Sequence, residues 1–192
     1  MKYATVFGVL WIAASTMSCG GAPDYTPKPK SGAVSHYTIQ FQAILVGAQT
    51  GKATARVMGE ETINGKTYKK TIVAFTGIAG LDQTTAYNRY DADGEYEIDG
   101  KHRDIPEYLV MPLPIAVGKA WSAMTGDGKK NFKAESIEAV LINDKTYDAC
   151  LKVTYMMDGG VQGTDYYAPG VGLVKSIFNS GLANVTLTLD SK

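Results

Sequence analysis

Residues 37–45, Tyr-Thr-Ile-Gln-Phe-Gln-Ala-Ile-Leu, decide the fold class of this chain. Apolar side chains stand at every second position from Tyr37, and polar residues stand between the first of them. A period of two predicts a β-strand with one buried face and one exposed face. Residues 47–51 then predict a turn, and residues 52–59 alternate again. The folded part of the chain is therefore predicted to begin with two antiparallel strands.

The same alternation continues towards the C-terminus. Asn64-Gly65 is the clearest hairpin signal, because a tight primed turn needs positive φ at both central residues. Residues 133–142 also have a spacing compatible with a short helix, but we predict a strand there. The further predicted strands are Tyr68–Phe75, Tyr87–Tyr90, Glu95–Ile98, Glu107–Met111, Trp121–Thr125, Phe132–Ile142, Tyr147–Met157, Asp165–Ala168, Gly172–Phe178 and Val185–Leu189.

About ten strands joined mainly by short turns predict an all-β antiparallel meander. Since each strand has one apolar face, the sheet must curl on itself or pack on a second sheet. We predict a barrel or half-barrel, and a two-layer β-sandwich is the alternative. Pro112 and Pro114 cannot donate ladder hydrogen bonds, so their segment is predicted at an edge of the sheet or outside it.

Cys19 divides the chain into an export signal and a mature protein. Before it stand Lys2, an apolar run from Tyr3 to Ala14, and the small or weakly polar residues 15–18. A run of about twelve residues is too short to span a bilayer and fits the apolar region of a cleaved signal peptide. This order resembles a bacterial lipoprotein signal, in which the cysteine becomes the lipidated first residue. We predict a signal peptide over residues 1–18 and lipid attachment at Cys19.

Two other interpretations of the N-terminus stay open, namely an ordinary secretory signal cut nearby and an uncleaved anchor. Residues 20–35 contain three prolines and show no apolar period. Residues 19–35 are therefore predicted to be a flexible tether, and residues 36–192 a single β domain. Gly20 is not the acidic residue that commonly retains lipoproteins at an inner membrane. The resemblance thus implies an outer-membrane anchor, with the domain facing the periplasm or the cell surface.

The charge balance excludes one class of partner. The whole chain has 19 basic and 19 acidic residues, and removal of residues 1–18 takes away only Lys2, which leaves 18 bases against 19 acids. A protein with no basic excess lacks the electrostatic footprint of binding to nucleic acid or to anionic lipid. The membrane contact is therefore expected through the N-terminal lipid, and no nucleic-acid partner is expected.

Cys150 is the only other cysteine of the chain. A thioether at Cys19 would leave it without a partner for an intramolecular disulfide. It lies in the strand-like segment Tyr147–Val153, and the sequence supplies no basic neighbour that would lower the pKa of a reactive thiol. We predict a small, half-buried side chain at this position and not a nucleophile.

Acidic residues concentrate in Asp91–Asp99. Ca²⁺ binds oxygen ligands at alternate positions, but this run lacks the Gly and Glu that an EF-hand loop needs. Glu95 and Glu97 share one face of their predicted strand, and we predict that this face is exposed to solvent. Weak Ca²⁺ binding is the alternative. No metal site and no cofactor is assigned.

Candidate catalytic residues are few. A zinc site usually draws on several His or Cys ligands, and a hydrolytic triad needs Ser or Cys near a His. The chain has only His36 and His102, both predicted on the surface, and no Gly-x-Ser-x-Gly motif. Residues 47–53 resemble a phosphate loop but have one residue too few between the glycines. No catalytic residue is predicted.

The most distinctive segment is Asp165–Ser176, Asp-Tyr-Tyr-Ala-Pro-Gly-Val-Gly-Leu-Val-Lys-Ser. Pro169-Gly170 suits the centre of a type II turn, in which Pro presets φ and Gly takes positive φ. Gly172 suits a bulge, and Tyr166, Tyr167 and Trp121 are predicted to be packing residues of a fold-defining hairpin. A ligand platform is the alternative.

This hairpin, the strand Tyr147–Val153 and the element Leu113–Trp121 together resemble the C-terminal signature of a group of largely uncharacterised bacterial exported proteins and lipoproteins. The resemblance covers about residues 60–180. It implies an all-β lipoprotein of the periplasm or outer membrane, and it brings no enzymatic activity.

We therefore expect a non-enzymatic domain, lipid-anchored at the cell envelope, that binds an apolar ligand or an envelope partner. A curled sheet with an open mouth is a common container for apolar ligands. The alternatives are a structural or assembly lipoprotein that acts through its outer surface and, third, an envelope hydrolase. A hydrolase would need a cleft that brings His102 or the acidic run to a nucleophile.

Overall fold

A computed structural model of the chain describes residues 23–81 and 83–190. Cys19 and the predicted signal peptide lie outside these residues. Across the described ranges, no helix has the length and apolar character that a membrane crossing needs. The strands are β1 (Val34–Ala43), β2 (Gly47–Ile63), β3 (Lys66–Thr76), β4 (Gln83–Tyr90), β5 (Gly94–Asp99), β6 (Tyr108–Pro112), β7 (Ala120–Thr125), β8 (Gly128–Ile142), β9 (Lys145–Met157), β10 (Gln162–Ala168), β11 (Gly172–Asn179) and β12 (Ala183–Leu189).

The prediction of an all-β antiparallel meander is confirmed, with twelve strands in place of about ten. Each predicted strand is present, and residues 133–142 are strand, not helix. The predicted turn over residues 47–51 is wrong, because β2 already begins at Gly47. The reversal is made by residues 44–46, and Gly47 completes it with φ of 73°.

The sheet curls into a nearly closed barrel with one unsealed seam. Its strand order is β6-β5-β4-β3-β2-β1-β12-β11-β10-β9-β8-β7, so the first and last strands of the chain pair in the middle of the sheet. β6 and β7 form the two edges and meet at the seam. There the Trp121 indole N–H donates to the Val110 carbonyl oxygen at 3.2 Å. Pro112 ends the edge strand β6, which confirms the predicted edge position.

The turns alternate between two ends of the barrel, because every strand runs antiparallel to the next. We call the end where β1 begins the lower rim and the opposite end the upper rim. The lower rim comprises residues 64–65, 91–93, 113–119, 143–144 and 169–171. The described residues of the upper rim are 44–46, 77–81, 100–107, 126–127, 158–161 and 180–182.

Both turn predictions made from glycine chemistry are confirmed. Asn64 and Gly65 have φ of 50° and 75°, as a primed hairpin turn requires. Gly170 has φ of 67°, and the Val171 N–H donates to the Ala168 carbonyl at 3.1 Å, as in a type II turn. The register between β10 and β11 then shifts beside Tyr166, which is the bulge expected after Gly172.

One contiguous apolar cluster fills the inside of the barrel. It is built from the inward residues of strands all around the sheet, because successive side chains of a strand point to opposite faces. Its fully buried members include Tyr37, Ile39, Ala53, Val57, Val73, Met111, Leu151 and Val153.

The N-terminal segment packs against the lower rim. Tyr25, Thr26 and Pro27 are buried, and the Tyr25 hydroxyl donates to the Ala149 carbonyl at 3.2 Å. The Gly170 N–H donates to the Asp24 carbonyl at 2.7 Å. Within the segment predicted as a tether, the described residues from Asp24 to Pro27 therefore pack against the barrel. The prolines of this segment exclude a helix or a central strand. They do not prevent the Tyr25 side chain and the Asp24 carbonyl from binding the barrel.

Candidate functional site

The acidic face of β5 points into the barrel. Glu95 is 0 % exposed and Glu97 is 2 % exposed. Glu95 lies opposite Met111 and Glu97 opposite Tyr108, both on the inner face of β6. The prediction that this face is exposed to solvent is therefore wrong. Alternation correctly grouped the two carboxyl groups on one face, but closure of the sheet decided which face is inside.

The outer face of β5 has an apolar cluster of its own. This cluster explains why the acidic face, and not the apolar one, points into the barrel. Ile98 and Tyr87 are buried there together with Ile63 and Tyr68. The β5–β6 loop covers them. Its Arg103 guanidinium lies 4.8 Å from the Tyr87 ring centroid and donates to Glu61 at 2.9 Å. Both faces of this strand thus carry buried residues, Glu95 and Glu97 on the inner face and Ile98 on the outer face.

Glu97 is held by neutral donors. The Asn88 amide donates to one carboxylate oxygen at 3.2 Å, and the Tyr108 hydroxyl donates to the other. Burial raises the pKa of Glu97 to about 7, although the Tyr108 hydrogen bond acts in the opposite direction. The Glu97 carboxyl group therefore titrates near neutral pH inside the folded barrel.

Glu95 is the most poorly compensated polar group in the described part of the chain. Neither of its carboxylate oxygens has a hydrogen bond of ordinary geometry. Burial raises the pKa of Glu95 well above its usual value. The charge of Glu97 raises this pKa further, and the Tyr90 hydroxyl lowers it. A buried carboxyl without a cationic partner neutralises by keeping its proton. Burial therefore favours the protonated form of Glu95.

A second polar pair faces these acids from β8 and β10. The Lys130 ammonium lies 3.6 Å from the Tyr155 ring centroid and 4.9 Å from that of Phe132. Asp165 accepts a hydrogen bond from Ser176 at 2.6 Å. Burial lowers the pKa of Lys130 and raises that of Asp165, although both side chains keep partial solvent contact. They therefore line a recess and do not lie on the outer wall.

Metal ligands are not grouped around these acids in the described part of the chain. Within residues 23–81 and 83–190, no three His, Cys, Asp or Glu side chains are grouped so that they could hold a metal. The weak Ca²⁺ site considered for Asp91–Asp99 gains no support, since the run divides between an exposed lower-rim turn and the barrel interior.

Cys150 is fully buried, more deeply than the half-buried position predicted from the sequence. Its thiol donates to the Tyr147 carbonyl at 3.3 Å. Burial raises its pKa to about 11, and the charges of Asp148 and Glu138 add to this effect. A thiol that resists ionisation is a poor nucleophile. Cys19, the predicted lipid attachment site, lies outside the described residues.

The two histidines lie at opposite ends of the barrel. His36 is exposed on β1 near the lower rim, where its Nδ1 lies 3.2 Å from the Thr54 hydroxyl oxygen. His102 belongs to an upper-rim turn, where its N–H donates to the Asp99 carbonyl at 3.1 Å. The structure therefore does not bring them together.

The aromatic residues of the C-terminal signature pack as predicted. Tyr167 is buried in the barrel interior, and Trp121 stacks on Phe132 with centroids 5.1 Å apart and planes inclined by 6°. Tyr166 is partly buried on the opposite face of β10. These contacts support a packing role over a ligand platform.

Sequence reasoning did not find Asn88, Tyr108, Lys130 or Asp165. A usable signal was present, because Lys130 stands two residues before the core residue Phe132 and Asp165 two residues before Tyr167. Residues i and i+2 of a strand share a face. Because Lys130 and Asp165 share a strand face with an aromatic core residue, both could have been assigned to the inner face of the barrel.

Comparisons with known proteins add the fold and no activity. No protein-family model matches the sequence, and no curated protein sequence matches it. A predicted exported protein with a YmcC-like fold from Bacteroides fragilis aligns over 83% of this chain and 94% of its own, with 13% identity and a TM-score of 0.52. A predicted lipoprotein from Parabacteroides distasonis aligns over 88% and 98%, with 12% identity and a TM-score of 0.43. The chain thus shares the fold of the exported protein from Bacteroides fragilis.

Proposed function

We propose that this chain is a non-enzymatic domain of the cell envelope that is anchored by a lipid on Cys19 and acts by binding an envelope partner. One observation carries the proposal. The chain joins the lower rim at Asp24, whose carbonyl binds Gly170. Only four residues, 20–23, lie between Cys19 and Asp24, so the two Cα atoms can be at most about 17 Å apart when the chain is fully extended. A lipid on Cys19 would hold the lower rim close to a membrane and direct the upper rim away from it.

A protein partner has more support than an apolar ligand inside the barrel. The interior is occupied by the apolar cluster around Tyr37 and Ile39, and by the buried acids Glu95 and Glu97. An apolar ligand would have to displace these side chains or lie against carboxyl groups. A depression of about 570 Å³ on the wall around β8–β10 combines the apolar residues Met156 and Ile177 with the charged residues Lys133 and Glu135, so it is not a purely apolar pocket.

Catalysis has little support in the described residues. The acids that could act as general acid or base are enclosed, and a catalytic group must reach the proton that it transfers. The histidines lie at opposite rims. A hydrolase would also need a nucleophile, and the Cys150 thiol is buried with a raised pKa.

The two cysteines offer a matched test of the anchor. Cys19→Ser should abolish labelling with radioactive palmitate and release the protein from the membrane fraction of an expressing bacterium. Cys150→Ser is the control, since it removes the other thiol and should leave both properties unchanged. A Cys19→Ser protein that stays in the membrane fraction would contradict the lipid anchor and indicate an uncleaved one.

A further inference from the structure

Two neighbouring turns of the upper rim expose four large aliphatic side chains. In the β1–β2 turn Ile44 is 75% exposed, Leu45 74% and Val46 46%, and in the β11–β12 turn Leu182 is 71% exposed. The Ile44 N–H donates to the Leu182 carbonyl at 3.1 Å, and β1 pairs with β12 directly beside them. These two turns therefore form one surface, which we call the apolar tip.

A contiguous apolar patch of this kind differs from scattered exposed residues. Single exposed aliphatic side chains are normal on soluble proteins, whereas a cluster of them marks an interaction site. The hydrogen bond between the turns keeps the four side chains together in the free protein. The tip is therefore held in place before anything binds to it.

The surroundings of the tip carry no charge. Residues 39–51 and residues 176–189 contain no Asp, Glu, Lys or Arg. The nearest polar side chains on the paired strands are amides, Gln42 opposite Asn184 and Asn184 opposite Asn179. An apolar centre with an uncharged polar margin is the composition of the core of a protein–protein interface, where charged residues are depleted.

A lipid surface fits this composition less well. Segments that bind membrane interfaces place Trp or Tyr at headgroup level and Lys or Arg against anionic lipid. Residues 39–51 and 176–189 contain none of these four residue types. The tip also lies at the end of the barrel opposite Asp24, which is where the chain leads back to Cys19.

A second copy of the chain fits poorly as well. Four partly exposed aliphatic side chains offer about 400 Å² per copy, and two tips together fall below the roughly 1,200 Å² of a stable specific interface. The tip is convex, because it consists of two projecting turns. It therefore needs a concave partner that contributes most of the buried area.

We propose that the apolar tip is a docking surface for an uncharged, apolar groove on another protein of the cell envelope. This inference rests on the proposed function, in which the lipid holds the lower rim at the membrane and leaves the upper rim free. Ile44, Leu45 and Leu182 supply the contact, and the amide margin accommodates the partner without burying a charge.

The first experiment places the photo-crosslinking residue p-benzoylphenylalanine at Leu45 in the full chain, expressed in cells. Met58 is the matched control, because it is also about half exposed, at 53%, but lies on β2 away from the tip. We expect one discrete protein adduct from position 45, none from position 58, and loss of the adduct when Leu182→Asp is added.

The second experiment measures binding directly. The adduct partner is identified by mass spectrometry, purified, and titrated against the Cys19→Ser chain by calorimetry. Leu45→Asp and Leu182→Asp should each weaken binding at least tenfold, and Met58→Asp less than twofold. Equal urea midpoints for these exposed substitutions would show that folding is unchanged.

Other outcomes would overturn the inference. Concentration-dependent dimers lost in Leu45→Asp would assign the tip to a second copy. Pelleting of the Cys19→Ser chain with phosphatidylethanolamine–phosphatidylglycerol vesicles, lost in the same variant, would assign it to lipid. Absence of an adduct, or equal adducts at positions 45 and 58, would reject docking at the tip. Loss of the proposed anchor would appear separately, in the fractionation of the Cys19→Ser protein.

Discussion

The inner and outer faces of the β4–β6 region shift the pKa of a carboxyl group in opposite directions. On the inner face Glu97 accepts hydrogen bonds from Asn88 and Tyr108, and burial raises its pKa to about 7. On the outer face burial also acts on Glu107. There, hydrogen bonds from Arg89, Lys66 and Tyr68 outweigh it and lower its pKa to about 2.

The two acids differ in depth and in partner, since Glu97 is almost fully buried among neutral donors and Glu107 keeps partial exposure beside two cations. A carboxylate that accepts from a guanidinium and an ammonium stays ionised, while one that meets neutral donors in a closed barrel keeps its proton. The two faces should therefore respond to pH in opposite directions. Four substitutions test this contrast, in descending order of expected effect.

Glu97→Gln should remove a pH dependence of stability. The pKa of Glu97 is raised in the folded state, so the stabilisation by its proton is complete below pH 4.5 and is lost as pH rises through about 7. Relative to the wild type, the free energy of unfolding of the variant should gain about 3 kcal/mol between pH 5 and pH 8. Urea unfolding at both pH values measures it, and a difference independent of pH would contradict a buried titrating Glu97.

Glu107→Gln should act with the opposite sign. Its pKa is lowered in the folded state, so the stabilisation is present above pH 4.5 and is lost as pH falls through about 2. We expect the variant to lose about 2 kcal/mol of unfolding free energy at pH 7, and little near pH 2.5. The control is Glu60→Gln, because the Glu60 side chain is exposed and its carboxylate lies 3.6 Å from the ammonium of the partly buried Lys69. That substitution should cost less than about 0.5 kcal/mol.

Glu95→Met should stabilise the protein. A buried carboxyl without ordinary hydrogen bonds carries an uncompensated desolvation cost, and Met fills a similar volume without it. The expected gain at pH 7 is about 1–2 kcal/mol in urea unfolding. Glu95→Gln keeps a polar side chain at the same buried position, so its free energy of unfolding should stay near that of the wild type at pH 6. A loss of stability in Glu95→Met would show that the carboxyl has a partner essential to the fold.

Tyr108→Phe should have the smallest effect. It removes one of the two donors to Glu97 and should cost about 1 kcal/mol. Because that hydrogen bond lowers the pKa of Glu97, its loss should move the midpoint of the pH-dependent stability towards higher pH. The measurement is the same urea series taken in half-unit steps of pH. A midpoint that stays in place or falls would argue against the assignment.

Much of the fold could be predicted from the sequence, since strands and turns are set locally. The alternation from Tyr37 and the turns at Asn64-Gly65 and Pro169-Gly170 depend on neighbouring residues and on backbone conformation. The attachment of residues 24–33 could not be predicted, because the Tyr25 hydroxyl binds Ala149, 124 residues away. Nor could the apolar tip, which joins the turn at Ile44 to the turn at Leu182.

The sequence alone determined that Glu95 and Glu97 share one face of a strand and that Tyr96 and Ile98 share the other, because successive strand residues alternate. Only the tertiary structure decided which face is inside. Ile98 packs on the outside against Ile63, Tyr68 and Tyr87, while Glu95 and Glu97 are buried on the inner face. When a strand has buried residues on both faces, its own sequence does not show which face lies inside the barrel. The answer depends on which distant parts of the chain pack against each face.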